Sequence, residues 1–243
     1  MKLYEVGGHV RDGLLNLKSN DIDYAVEMSE YNYTKAGDAY MRMNENLELA
    51  GFEIFLEISE MFTTRAKFPE SHEHSGVADF VMCRKEIGYE EGTRKPIVEI
   101  GTLLDDLARR DFTVNAIARD VETGELIDPY DGVMDLEFML LETPLGANIS
   151  FNDDPLRIMR AIRFKITKGF NWHPEIDQAI RYFPVGKYSK VVSVERTMIE
   201  LEKCFKESTL RTLELLDWLY EENAGLYNEV VKGFWLLPTN KKK

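Results

Sequence analysis

The sequence is poor in cysteine, in long apolar runs and in basic charge, and each shortage removes a class of protein. Only two cysteines occur, Cys83 and Cys204, far apart and without metal-ligand spacing. Neither a disulfide framework nor a cysteine-built metal site fits that usage. Both fall in apolar-periodic segments, which predicts buried free thiols in a reducing cytoplasm. No apolar run is long enough to span a bilayer, and the first residues lack a signal-peptide pattern, so a cytoplasmic protein off the membrane is expected. Internal repeats and long Pro/Ser linkers are absent too. Lys and Arg total 30 against 43 Asp and Glu, a formal net charge of −13. That balance argues against a surface that grips nucleic acid everywhere, so an RNA substrate requires a local basic patch. What is present is a chain of 243 residues, 44% hydrophobic and 30% charged, enough for a sizeable core and one or two domains.

The most informative stretch runs from Gly7 to Val26, GGHVRDGLLNLKSNDIDYAV, after a short apolar beginning that predicts a strand. Gly7 and Gly8 allow a tight turn and close approach to a ligand. Val10 to Leu17 has helical spacing, and free N–H groups at a helix start favour a phosphate. Arg11, in the first turn, adds a charged fork to the same group. Asp21 to Val26 then reads as a strand, on which Asp21 and Asp23 project to one side and Ile22 to the other. Two adjacent carboxylates repel unless a cation lies between them, and hard oxygen ligands suit Mg²⁺.

Further on, Glu27 to Gly51 is predicted helical, Phe52 to Ile58 and Met61 to Phe68 as strands, and Pro69 to Gly76 as a solvated turn in which His72 and His74 hold no metal. Val77 to Arg84 is a strand with Asp79 and Val81 on one face and Ala78, Phe80 and Met82 on the other. A lone acid there is costly unless paired or on a metal. Lys85 to Lys95, charged and containing Gly88 and Gly92, is expected to be a mobile loop. Leu103 to Ala118 reads as a helix, a turn and a second apolar helix. Within it Arg109, Arg110 and Asp111 offer donors for a triphosphate and an acceptor for a sugar hydroxyl, though an exposed ion-pair surface has the same pattern. Asp128-Pro129 and Asp131-Gly132 are turn dipeptides of a scaffold.

Phe151 to Gly169 predicts an amphipathic helix capped by Asn152 or Asp153, with Pro155 in its first turn and Gly169 as its stop. Leu156, Met159, Ile162 and Ile166 fill one side, and Asp154, Arg157, Arg160 and Arg163 form a stripe on the other. Ionised Asp only accepts hydrogen bonds and Arg only donates, so an Asp–Arg pair sets an acceptor beside a donor. Cytosine and adenine present the matching edge, whereas uracil and guanine present the reverse order and leave charged groups unsatisfied. A solvated helix face has the same charge pattern; read as a pair, the two groups select C and A without a nucleic-acid template.

Together these segments resemble the class II nucleotidyltransferases, which comprise the CCA-adding tRNA nucleotidyltransferases and the bacterial poly(A) polymerases of the DNA polymerase β-like superfamily. The family's glycine pair, V-R-D, L-L and D-x-D are met without a gap between Gly7 and Asp23, and RRDFTVNA matches its second motif. D-P-[FY]-x-G-x-x-D-L recurs at Asp128 to Leu136. Asp154 and Arg157 occupy the D and R of E-D-x-x-R, with Asp153 in place of the Glu. Ser193 to Phe205 resembles the neck helix that follows, where Glu195 and Arg196 are given a structural role.

The resemblance covers about Leu3 to Phe205 and implies an α+β fold. A polymerase β-like head, a small sheet with helices, is expected over 1–142. An α-helical neck is expected over 143–243, with the usual body and tail reduced or absent. It implies that Gly8, Arg11 and Arg110 contact the nucleotide, that Asp111 recognises ribose, and that Asn115 orders the turn. Asp21 and Asp23 would bind catalytic Mg²⁺, with Asp79 as third carboxylate, while Arg160 and Arg163 would add nucleotide contacts beside Asp154 and Arg157. The expected activity is addition of CMP and AMP from CTP and ATP to an RNA 3′ end, above all that of tRNA. Poly(A), A-only or CC-only addition, or nucleotide and RNA binding without catalysis, are the alternatives.

Overall fold

The alternating apolar pattern of the first half builds a large mixed sheet and a strand pair, and the helical periodicity of the second half builds a mostly helical unit. The structure is a computed structural model that describes residues 1–18, 22–28, 33, 35–72, 74–89 and 96–232. These divide into two compact units, Met1–Tyr89 with Pro96–Phe138, and the chain from Met139 on.

In the first unit β1 (Lys2–Val6) leads through α1 (Gly8–Leu14) to β2 (Ile22–Glu27), α2 (Ala36–Leu49), β3 (Glu53–Ile58), β4 (Thr63–Lys67) and β5 (Val77–Met82). β6 (Arg84–Tyr89) and β7 (Pro96–Ile100) form an antiparallel pair of their own. α3 (Leu103–Ala108), β8 (Ala118–Asp120), β9 (Leu126–Ile127) and α4 (Gly132–Glu137) complete it. The large sheet has seven strands in the order β3-β4-β5-β2-β1-β8-β9. Within it, among the described residues, only β2 and β5 are parallel neighbours, the long crossover between them running through α2, β3 and β4.

Side-chain alternation sorts the two faces. Tyr24, Val26, Ala66, Ala78, Phe80 and Met82 pack under Ala39, Tyr40, Met43 and Leu47 of α2. Tyr4, Val6, Ala25 and Ala118 point the other way, against Leu103 and Leu107 of α3. α3 starts with a reciprocal cap: Asp105 N donates to Thr102 Oγ1 at 3.3 Å, and Thr102 N to Asp105 Oδ2 at 2.9 Å.

The second unit contains β10 (Leu140–Leu141), α5 (Ala147–Asp153), α6 (Leu156–Thr167), β11 (Asn171–Trp172), α7 (Pro174–Arg181), α8 (Tyr188–Val191), α9 (Val194–Glu207), α10 (Thr209–Glu222) and α11 (Ala224–Val231). Leu156, Met159, Ile162 and Ile166 are buried, as their spacing predicts, and Gly169 stops α6 with φ 80°. Ser193 caps α9, accepting from Arg196 N at 3.4 Å.

Four local expectations change. β2 extends to Glu27 and α2 starts only at Ala36, so Glu27 opens no helix. Residues 84–89 pair with 96–100 as strands, so the expected loop is strand at its start, and its remainder lies outside the described residues. The expected second helix after Arg110 is a single 3-10 turn, Thr113–Asn115, running into β8. Residues 151–169 are two helices broken at Asp154, whose backbone is extended with φ −135° and ψ 95°. Both cysteines are buried and free, as expected, and burial pushes the Cys204 thiol up to about 12. Among the described residues no helix is long and apolar enough to cross a membrane.

Candidate active site

The first unit gathers its polar residues where β1 ends. Gly7 turns the chain there with φ 69°, a conformation that side-chain-bearing residues rarely adopt. A Cβ on Gly7 would lie 3.1 Å from Arg110 Nη1 and 3.6 Å from Asp23 Oδ2. The glycine thus keeps a narrow seat clear between an arginine of the second motif and a carboxylate of the first. Gly8, the first residue of α1, faces Arg11, whose Nη2 would lie 3.5 Å from an added Cβ.

Asp23 shares its face with Ala25, which α3 covers, while Asp23 itself remains half-buried at the open end. Asp79 stands beside it in register on the adjacent parallel strand, and Arg65 beside Asp79 on the next strand over. The Arg65 fork holds Asp79 in two bonds, Nε to Oδ1 and Nη2 to Oδ2, both 2.6 Å. Asp21 lies outside the described residues. Among those described, no three His, Cys, Asp or Glu side chains are grouped to hold a metal, so the Asp23–Asp79 pair is the placed part of the set. Adjacent hard-oxygen carboxylates on one face of the sheet fit a divalent cation chemically.

The second motif packs against the first. Arg11 is buried, donating through Nη1 to Asn115 Oδ1 at 2.5 Å and through Nη2 to Asp12 Oδ1 at 2.8 Å. Asn115 Nδ2 in turn donates to Asp111 Oδ1 at 2.9 Å, which also accepts from Phe112 N at 2.9 Å, so Asn115 orders the turn as expected. Asp106, absent from the sequence-based site, is wholly buried and accepts from both Arg109 and Arg110, the latter at 3.0 Å. Burial alone would raise its carboxyl; the two guanidiniums outweigh that and hold it below the usual range. Arg110 is thereby aimed from below, and its buried Nε finds no partner among the described residues. That leftover donor fits an anion.

The Asp128–Leu136 segment clamps this turn from outside. Asp128 accepts from Gly132 N and Val133 N, both at 2.8 Å, and Thr113 Oγ1 donates to Asp135 Oδ2 at 2.5 Å. A Cβ on Gly132 would fall 2.3 Å from Thr113 O, which is why glycine stands there. His72 and His74 are half-buried rather than solvated: both pack on Phe68, and His74 Nε2 lies 3.8 Å from Glu5.

In the second unit Asp154, Arg157, Arg160 and Arg163 are all half-buried. Asp154 Oδ1 accepts from Leu156 N at 3.1 Å, capping α6 from the helix break. Arg157 Nη1 is held by Ser150 Oγ at 2.8 Å. Arg163 Nε is bound to Glu200 Oε2 on α9 at 2.5 Å. Glu200 is buried and braces Arg163, while Glu195 and Arg196, expected to support this helix, are exposed. An acid at the spacing of Thr197, Leu201 and Cys204, all buried, was the signal that sequence reasoning passed over.

Comparison with known proteins matches residues 3–142 to the Poly A polymerase head domain. The CCA-adding enzyme of Streptococcus pneumoniae is 35% identical over 205 residues, covering 82% of this chain and 45% of that protein. The CCA-adding enzyme of Buchnera aphidicola is 32% identical over 255 residues, covering 99% of this chain and 55% of that protein. Among solved structures, the Bacillus stearothermophilus CCA-adding enzyme in complex with CTP aligns with TM-score 0.69 at 30% identity, covering 88% of this chain and 47% of that one. A tRNA nucleotidyltransferase complexed with a primer tRNA and an incoming ATP analog aligns with TM-score 0.67 at 28% identity, covering 96% and 60%. The chain spans about half the length of these two curated relatives. A divalent metal is implied for the family. With its head domain matched and its Gly7–Asp23–Arg110 seat formed, the chain belongs to the class II tRNA nucleotidyltransferase and poly(A) polymerase family.

Proposed function

We propose that the chain is a template-independent nucleotidyltransferase that adds CMP and AMP to the 3′ end of tRNA. The observation that carries the reading is the seat at Gly7, where an arginine of the second motif and a carboxylate of the first lie 3.1 Å and 3.6 Å from the place a Cβ on that glycine would take. Complexes of family members with CTP, and with primer tRNA and an ATP analog, support it.

In this reading residues 1–142 are the catalytic head and 143–243 the helical neck. Asp21 and Asp23 hold Mg²⁺, with Asp79 as third carboxylate once Arg65 yields it. A divalent cation held by those carboxylates would supply Lewis-acid activation of the attacking hydroxyl and charge neutralisation at the leaving pyrophosphate. Gly8, Arg11 and Arg110 serve the triphosphate, Arg11 by fixing the turn and Arg110 by its guanidinium at the Gly7 seat. Asp111 accepts from the ribose hydroxyl. The RNA 3′-oxygen bonds to the α-phosphorus as the bond to the β-phosphate oxygen breaks, releasing pyrophosphate. Positioning and charge neutralisation account for most of the acceleration. Asp154 and Arg157 read the C or A edge, while Arg160 and Arg163 line the same stripe.

The test is incorporation of labelled CTP, ATP, UTP and GTP, singly and together, into tRNA lacking its CCA end and into a generic RNA, with Mg²⁺. Addition of C, C and then A to the tRNA alone is expected. Repeated A on either RNA moves the protein to the poly(A) branch. Nucleotide binding without incorporation makes it a binding protein.

A further inference from the structure

A cavity of about 530 Å³ opens on the far side of Asp23 from the nucleotide seat, lined by Asp23, Ala78, Asp79, Arg65 and Phe55. Its size falls within the roughly 300–1,000 Å³ of small-ligand sites. Its wall is made by an irregularity in the sheet. β3 pairs with β4 as Ile54↔Ala66 and then Leu56↔Arg65, so Phe55 is an extra residue bulged out of the ladder. Such a bulge re-aims a side chain. Ile54 packs in the core beneath α2, and Glu57 accepts from Asn44 on that same helix. Phe55 instead lines the cavity on the carboxylate face. It is 50% exposed, with Leu56 and Ile58 each at 43%. A bare apolar lip on an edge strand is a liability unless something covers it.

We propose that this lip and Arg65 seat the 3′-terminal nucleotide of the acceptor RNA, with Phe55 stacked on its base and Arg65 facing its phosphodiester. The proposal rests on the transfer reading above. An in-line displacement needs the attacking and leaving oxygens on opposite sides of the phosphorus. Gly7, Gly8 and Arg110 take the triphosphate on the β1 side of Asp23, so the attacking hydroxyl arrives from the β5–β4–β3 side. There the lining carries two carboxylates that repel RNA and one guanidinium, Arg65, that attracts it. An aromatic ring tolerates every base, as a site needs when its terminal nucleotide changes with each addition.

The experiment uses a short RNA with 2-aminopurine as its 3′-terminal base, titrated with the full chain in the absence of nucleoside triphosphate. Stacking on Phe55 quenches the fluorescence. Phe55→Ala should abolish the quenching and weaken RNA binding by about tenfold, the order of one lost base–aromatic stack. Phe55→Tyr should retain both. Phe55→Leu keeps an apolar side chain on the lip and should still lose the quenching, which separates stacking from folding. CTP affinity measured without RNA should stay within about twofold in all three, since nucleotide contacts lie across Asp23. Undiminished quenching in Phe55→Ala and Phe55→Leu, absent RNA binding by the wild type, or CTP affinity falling with RNA affinity overturns the proposal. Phe55-dependent quenching without incorporation overturns transfer alone. Incorporation with an unchanged acceptor KM in Phe55→Ala overturns the subsite alone.

Discussion

Arg11 and Asn115, 104 residues apart in sequence, are joined by a buried hydrogen bond that ties the first motif to the second. Arg11 therefore fixes the relative position of the Gly7 turn and the Arg110 turn. Asn115→Ala removes this acceptor and the donor to Asp111 together. The first unit should lose about 1–3 kcal/mol, the cost of leaving a buried charged donor short of a partner. The nucleotide KM should rise as the two turns loosen. Thermal melts and kinetics with varied CTP check this; an unchanged melting point and KM would remove the staple role.

Asp106 makes a pH prediction whose sign is fixed by its environment. Its carboxyl is held below the ordinary value of 3.8, with burial opposed and outweighed by Arg109 and Arg110. A depressed folded-state pKa adds stability that is complete above the unfolded value and is lost as pH falls through the folded one. Wild-type stability should therefore decline as the solution is acidified below about pH 4, near the unfolded carboxylate value. Asp106→Asn should flatten that part of the curve. At neutral pH it should cost about 3–5 kcal/mol, because two guanidiniums lose their buried partner. Denaturant midpoints across a pH series supply the measurement.

Asp23→Ala separates chemistry from folding. The side chain is half-buried at the open end of the sheet, so the melting point should change little. Transfer should fall by at least about a hundredfold, since charge stabilisation by a bound metal is worth several kcal/mol. Incorporation and calorimetry on one preparation read both. Substantial residual transfer would displace Asp23 from the metal seat.

The parts of this structure that the sequence made legible are those where period and burial agree. Alternation sets Asp79 on the face opposite Ala78, Phe80 and Met82, all three of which are buried, while its place beside the metal pair is what the family resemblance implies. The illegible parts lack a period. Ala116, Ile117 and Ala118 are buried on every side, so an apolar run there reads equally as helix or strand, and it is a turn entering β8. The break at Asp154 is set by a preceding helix whose sequence, ANISFND, is rich in residues that favour turns and caps. Arg65 and Glu200 were missed for another reason: each acts through a partner distant in sequence, Asp79 and Arg163, that only the fold brings near.

The arginine stripe on α6 divides into two roles that mutation should separate. Arg157 is oriented by Ser150, and Arg163 is bound by Glu200 on α9. Arg157→Ala should admit UTP and GTP, because the donor that distinguishes the C and A edges is gone, while triphosphate binding weakens less. Ser150→Ala should show a milder form of the same loss, since the guanidinium keeps its charge but not its aim. Glu200→Gln should instead lower stability, because the buried carboxylate that balances Arg163 is neutralised. Its effect on base choice should be smaller than that of Arg157→Ala. Misincorporation ratios and melting points measured across the three variants decide the assignment. If Glu200→Gln relaxes selection as much as Arg157→Ala, the Arg163 brace belongs to base reading itself, and the stripe acts as one unit.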